Sequence, residues 1–218
     1  MRPQLQIALD TLTMEDALAP LQKAHSQIDI IECGTILIIN EGLRAVREIR
    51  ALFPEKPILA DVRIAEAGSL IARNCFEAGA SWVSCVAGAS LTTIEQVVKV
   101  AEGFHGEVQV ELAEEHYTLE KARKWADIGV KHAIVKRSRD LEAAGKLTWG
   151  PHDFERIEQL KELGFTVTIT GGMSVADLDV FSGQHPDIII AGRTITQAED
   201  PLAAATALQT KIRQVWNA

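Results

Sequence analysis

Phe165-Thr166-Val167-Thr168-Ile169-Thr170-Gly171-Gly172 is a short apolar run that ends on paired glycines, and Ile188-Ile189-Ile190-Ala191-Gly192-Arg193 repeats the pattern further on. Short, nearly unbroken runs of β-branched residues are the mark of strands buried on both faces. The earlier stretch Ile58-Leu59-Ala60-Asp61-Val62-Arg63-Ile64-Ala65-Glu66-Ala67-Gly68 has the same form, but charged residues stand at its exit. Working outward, strands are expected at Leu5–Asp10, Ile28–Glu32, Ile58–Val62, Trp82–Val86, Glu107–Leu112, His132–Arg137, Phe165–Thr170 and Ile188–Ala191. Helix-length segments lie between them. Glu41–Phe53 repeats apolar residues at three- and four-residue steps through Leu43, Val46, Ile49 and Leu52. Thr118–Ile128 opens on a candidate N-cap, and Ser174-Val175-Ala176-Asp177 has the form of a capping box with Asp in place of Glu.

Eight strand–helix alternations could close into a barrel or form an open doubly wound sheet. The position of the glycines decides. A dinucleotide-binding sheet needs its Gly-rich turn after the first strand, whereas a barrel places anion-binding backbone after its last two. The expectation is a single (β/α)8 TIM barrel, with residues 1–218 as one domain and no linker or low-complexity stretch.

Composition narrows the function. With 218 residues, 47% of them hydrophobic, the chain can bury one core. A net charge of -8 argues against nucleic acid as a partner. No apolar run reaches membrane-spanning length, and Met1-Arg2-Pro3-Gln4 leads straight into a strand pattern, so neither a membrane nor a signal peptide is expected. Cys33, Cys75 and Cys85 have irregular spacing and apolar neighbours, which points to reduced, buried thiols in a cytoplasmic protein.

The strand exits collect polar residues on one rim: Asp10, Glu32, Asp61 with Arg63 and Glu66, Glu111, Lys136 through Asp140, Thr170-Gly171-Gly172, and Gly192-Arg193. Carboxylates gathered in a barrel repel one another unless a cation lies among them. Glu32 and Asp61 offer hard oxygens suited to Mg²⁺, which takes one or two carboxylates and keeps waters for substrate to displace. Arg63 and Lys136 can compensate the remaining charge. Gly172 and Gly192 let backbone N–H groups approach an oxyanion, and Arg193 presents a planar fork to phosphate oxygens. Each residue alone has a plainer reading. Asp10 or Glu32 could cap a helix, Arg139 and Asp140 could be a solvated pair, Gly171-Gly172 could simply turn the chain, and Cys33 and Thr35 read as packing residues. The joint pattern on one rim points to an enzyme acting on a phosphorylated small molecule.

At Gln6-Ile7-Ala8-Leu9-Asp10, Asp29-Ile30-Ile31-Glu32-Cys33-Gly34-Thr35, Gln109-Val110-Glu111-Leu112, Arg137-Ser138-Arg139-Asp140, Trp149-Gly150, Thr168-Ile169-Thr170-Gly171-Gly172 and Ile190-Ala191-Gly192-Arg193 the chain resembles a known family. This is the 3-keto-L-gulonate 6-phosphate decarboxylase branch of the orotidine 5′-monophosphate decarboxylase suprafamily, which also includes 3-hexulose-6-phosphate synthase. The resemblance implies a homodimer of barrels with active sites near the interface. It implies Mg²⁺ on Glu32 and Asp61, and phosphate on Thr170, Gly171, Gly172, Gly192 and Arg193. Loss of CO₂ would give a cis-enediolate that is then protonated. Asp10 and Glu111 match active-site acids, Arg139 a residue of proton delivery, and Glu66 a position reaching into the partner's site.

Three positions depart from the family. Its Asp-x-Lys-x-x-Asp pattern is Asp61-Val62-Arg63-Ile64-Ala65-Glu66 here, and its His after strand six is Lys136. Arg63 can stabilise negative charge but is effectively never deprotonated, whereas an amine at Lys136 can act as acid or base. The expected activity is a carboxy-lyase of a phosphorylated keto sugar acid. Aldol addition of the same enediolate to formaldehyde is an alternative, as is a catalytically altered paralogue that binds sugar phosphate.

Overall fold

The computed structural model describes residues 2–112, 116–137 and 149–216. Eight parallel strands close on themselves in sequence order, β1-β2-β3-β4-β5-β6-β7-β8, with β8 pairing back to β1. They are β1 Gln4–Leu9, β2 Ile30–Cys33, β3 Ile58–Ile64, β4 Trp82–Val86, β5 Glu107–Glu111, β6 His132–Lys136, β7 Thr166–Thr170 and β8 Ile188–Ala191. Helices α1 Met14–Ala24, α2 Thr35–Glu41, α3 Arg44–Leu52, α4 Gly68–Glu77, α5 Leu91–Gly103, α6 Leu119–Asp127, α7 Pro151–Glu162, α8 Arg193–Thr196 and α9 Pro201–Trp216 connect and flank them. The chain is a single (β/α)8 TIM barrel. None of the described helices is long and apolar enough to cross a membrane.

Alternation along each strand separates two cores. Residues such as Ile31, Ile58, Val83, Val110 and Ile189 face outward and pack under the helices. Inward residues stack in layers. Ile30, Leu59, Trp82 and Ile188 close the N-terminal end. Above them lie the buried polar side chains Gln6, Ser84, Gln109 and Thr168. Ala8, Ile134 and Ile190 form the last apolar layer below the C-terminal rim. This stacking places a layer of polar side chains inside the barrel, between the apolar floor and the rim.

Two expectations need correction. The segment 41–53 is not one helix: α2 ends at Gly42, whose φ of 63° is left-handed, and α3 begins at Arg44. Val46 and Ile49 are buried as the periodicity requires, but Leu52 is exposed. Asp177 does accept from the Ser174 N–H, at 2.8 Å, but it opens the 3₁₀ turn Asp177–Phe181 and not an α-helix. Thr118 caps α6 as expected, accepting from the Lys121 N–H at 3.1 Å. All three cysteines are free and buried, and burial pushes each thiol up to about 12.

Candidate active site

A cavity of about 550 Å³ opens at the C-terminal rim. Asp10, Glu32, Asp61, Arg63, Glu111 and Lys136 line one part of it, and Thr170, Gly171, Gly172, Gly192 and Arg193 another. The structure therefore brings together eleven of the expected site residues. Glu66 is exposed and is not among the lining residues. Arg139 lies outside the described residues.

The acids are held from below. Gln6 Nε2 donates to Glu32 Oε2 at 2.6 Å. Burial pushes the Glu32 carboxyl well above its usual range, and the negative charges of Asp61, Asp10 and Glu111 push it the same way against the Gln6 hydrogen bond. Asp61 is nearly inaccessible. Ser84 Oγ donates to its Oδ1 at 2.6 Å, and Thr35 Oγ1 to its Oδ2 at 2.7 Å. Thr35 is therefore a supporting residue of the site, which corrects its reading as packing. Glu111 is shared by two cations: Lys136 Nζ is hydrogen-bonded to Oε1, and Arg63 Nε lies 3.4 Å from Oε2. Arg63 Nε is also 3.4 Å from Asp61 Oδ2. Burial alone would lower the guanidinium's pKa; Glu111, Asp61, Asp10 and Glu32 outweigh it and raise it. The positions where Arg and Lys depart from the family pattern thus meet on one carboxylate.

Gly34 also matters. A Cβ there would stand 2.3 Å from Asp10 Oδ1, so glycine lets the first acid of the rim sit against the β2 exit. On the other side of the cavity, Gly171 and Gly172 have φ of 122° and 61°. Arg137 donates to the Gly171 carbonyl through Nε at 3.1 Å and through an Nη at 2.6 Å, and its guanidinium lies 5.3 Å from the centre of the Trp149 ring. A Cβ on Gly171 would meet the Arg137 Cβ at 2.7 Å, so this brace also requires glycine. Thr194 Oγ1 donates to the Met173 carbonyl at 2.7 Å and ties the β8 exit to the β7 exit. Only the single turn of α8 follows Gly192.

The donor chemistry fits a divalent cation. Among the described residues lining that end of the cavity, the carboxyl groups of Asp10, Glu32, Asp61 and Glu111 outnumber the cations Arg63 and Lys136; Glu32 is raised first by burial and then by the neighbouring acids. Among the described residues no group of three or more His, Cys, Asp and Glu side chains is arranged to hold a metal. Mg²⁺ does not need such a cage, because one or two carboxylates with water suffice. Glu32 and Asp61, on neighbouring strands, are the residues that could hold it.

Sequence reasoning missed Gln6, Gly34 and Ser84. The clue was present: Gln6 and Ser84 are polar residues at inward positions of otherwise apolar strands, where a polar atom requires a partner.

Comparison with known proteins bears on the fold and the family. The family model for orotidine 5′-phosphate decarboxylase / HUMPS matches residues 3–208. The 3-keto-L-gulonate-6-phosphate decarboxylase UlaD of Salmonella paratyphi B is 44% identical over 214 residues, covering 98% of each chain. A crystal structure of KGPDC from Streptococcus mutans has 38% identity and a TM-score of 0.94, over 98% of this chain and 99% of that one. The 3-hexulose-6-phosphate synthase of Salmonella typhimurium has 28% identity and a TM-score of 0.87, over 97% and 99%. The resemblance read from the motifs thus extends over nearly the whole sequence, and the chain belongs to the orotidine 5′-phosphate decarboxylase / HUMPS family.

Proposed function

We propose that the protein is a Mg²⁺-dependent carbon–carbon lyase that decarboxylates 3-keto-L-gulonate 6-phosphate, or a related β-keto acid sugar phosphate, to a pentulose phosphate. The observation that carries this reading is one cavity in which four carboxylates and two cationic side chains stand next to paired left-handed glycines and Arg193. The names of the relatives supply the substrate class.

In this reading Thr170, Gly171, Gly172, Gly192 and Arg193 hold the phosphate. Breaking the bond to the carboxyl carbon releases CO₂, and its electron pair moves into the adjacent carbonyl to leave an enediolate. Glu32 and Asp61 would hold Mg²⁺, which would supply Lewis-acid stabilisation of the developing negative charge. Arg63 stabilises the same charge electrostatically and keeps its proton. Lys136, hydrogen-bonded to Glu111, delivers the proton to carbon. Asp10 completes the acidic wall. Arg139 matches a family residue implicated in proton delivery, and as an arginine it would assist that step without giving up its own proton, with Lys136 as the donor.

We also place the protein in the cytoplasm as a homodimer of one-domain barrels spanning 1–218, with Glu66 directed to the partner's site. Leu12, Ile39 and Leu70 are large apolar side chains exposed on the segments that follow β1, β2 and β3, and Glu66 is exposed on the last of these segments.

The test is ¹³C NMR of the Mg²⁺-loaded protein with a panel of keto-acid sugar phosphates in deuterated water. CO₂ release with deuterium incorporated at the former carboxyl-bearing carbon is expected, and chelation should abolish it. Absence of CO₂ release, deuterium exchange and aldol reaction across the panel overturns the reading. The likeness to 3-hexulose-6-phosphate synthase favours one second reading, addition of the enediolate to formaldehyde. Formaldehyde-dependent consumption of ribulose 5-phosphate would decide for it.

A further inference from the structure

The β3–β4 ladder is irregular at the active site. Ala60 pairs with Val83, and the next pair is Ile64 with Cys85. Three residues of β3, Asp61-Val62-Arg63, therefore span what Ser84 alone spans on β4. The surplus is two residues, so the in–out alternation survives. Ala60 and Ile64 both stay in the outer core, and Asp61 and Arg63 both face the cavity. Two inward charged side chains thus meet one inward hydroxyl. Bulges of this kind re-aim side chains and leave ladder groups unpaired.

Ser84 meets both demands. Its Oγ donates to Asp61 Oδ1 at 2.6 Å and accepts from the Arg63 N–H at 2.9 Å. Arg63 has a φ of 49°, a left-handed conformation unfavourable for a side chain of its size. The hydroxyl takes the place that a ladder carbonyl would fill in a regular strand pair. Ser84 is fully buried, so no water can substitute for it without rearrangement.

We propose that Ser84 is a positioning residue of the active site, setting the Asp61 carboxylate and the Arg63 guanidinium relative to one another through one hydroxyl. This deepens the enediolate reading and rests on it. The bulge supplies the surplus length, and Ser84 converts that length into a defined spacing between an acid and a cation that both touch the reacting region. A misplacement of about 1 Å in such a pair costs on the order of 10²-fold in rate.

The test compares Ser84→Ala and Ser84→Cys with Thr168→Val. Thr168 is an equally buried interior hydroxyl, 3.3 Å from Gln109 Nε2, and it lies outside the charged cluster. In Ser84→Ala we expect kcat to fall about 10²-fold while KM stays within about threefold. Amide exchange at Arg63 should speed up. Ser84→Cys, which keeps the size and a weak donor, should fall between Ser84→Ala and the parent. Thr168→Val should lose stability and keep kcat. A parental kcat in Ser84→Ala, or in Ser84→Cys should the alanine variant fail to fold, overturns the proposal. So does an equal fall of kcat in Thr168→Val. A parent that turns over nothing in the panel instead overturns the substrate reading. Exchange then decides for Ser84: acceleration confined to 61–63 supports the anchor, and unchanged exchange refutes it.

Discussion

At the N-terminal end of the barrel, Ile30, Leu59, Trp82 and Ile188 seal the interior. His132 stacks on Trp82 with ring centres 4.7 Å apart, and its Nε2 lies 2.6 Å from Glu107 Oε2. At the C-terminal end the same barrel finishes in Asp10, Glu32, Asp61, Glu111 and Lys136 around an open cavity. One end is closed by apolar packing and by the His132–Glu107 contact. The other carries mutual repulsion among carboxylates that a bound cation can relieve. The difference teaches that this barrel divides its work along the strand axis: apolar layers below supply stability, and charge held out of balance above supplies chemistry.

Substitutions at the two ends should therefore fail in opposite ways. Asp61→Asn should lower kcat by about 10²–10³-fold with little change in Tm, because it removes one member of a repelling set. A large fall in Tm would break the contrast. Trp82→Ala should cost about 3–5 kcal/mol of stability by leaving a cavity, with kcat per folded molecule preserved, as denaturant titration and active-site counting would show. Lys136→Met should lower kcat by about 10²-fold, and the loss should be greatest in the deuterium-incorporation step. If decarboxylation slows and deuterium incorporation into product keeps pace with it, the proton comes from another residue.

The smallest effect is the opposite pH response of the two ends. Hydrogen bonding to His132 holds the Glu107 carboxyl below its usual value, so its contribution is present above the ordinary carboxylate range and is lost as pH falls through the lowered value. Glu32 is raised, so the sign reverses. Its protonated form is favoured in the folded state, and stability is lost as pH rises from the ordinary 4.5 through the raised value. In metal-free buffer, Tm should therefore climb on moving from neutral pH toward 4.5, and Glu32→Gln should flatten that climb. Mg²⁺ should suppress it in the parent, because a bound cation keeps Glu32 ionised. A climb that survives in Glu32→Gln places the uncompensated charge elsewhere.

Much of this was open to a reader of the sequence. β4 and β8 were legible to the residue, and the other strands to within one or two, because continuous β-branched runs have few alternatives. The rim residues were legible because βα alternation turns chain position into position on one face. The break between α2 and α3 was not, since Gly42 within a periodic run reads equally as a tolerated helical glycine. The supporting role of Thr35 was hidden for a different reason. Its hydroxyl acts on Asp61, 26 residues away, and no spacing rule connects them.

By itself the sequence determined that eight strands alternate with helices, which residues face the rim, and that acids precede glycines around it. Those properties follow from local periodicity and from the single direction in which parallel strands run. Only the tertiary structure decided that Arg63 and Lys136 converge on Glu111, and that three residues of β3 oppose one serine of β4. Such contacts depend on register between strands, and register is set by closure of the whole barrel and not by any segment of it.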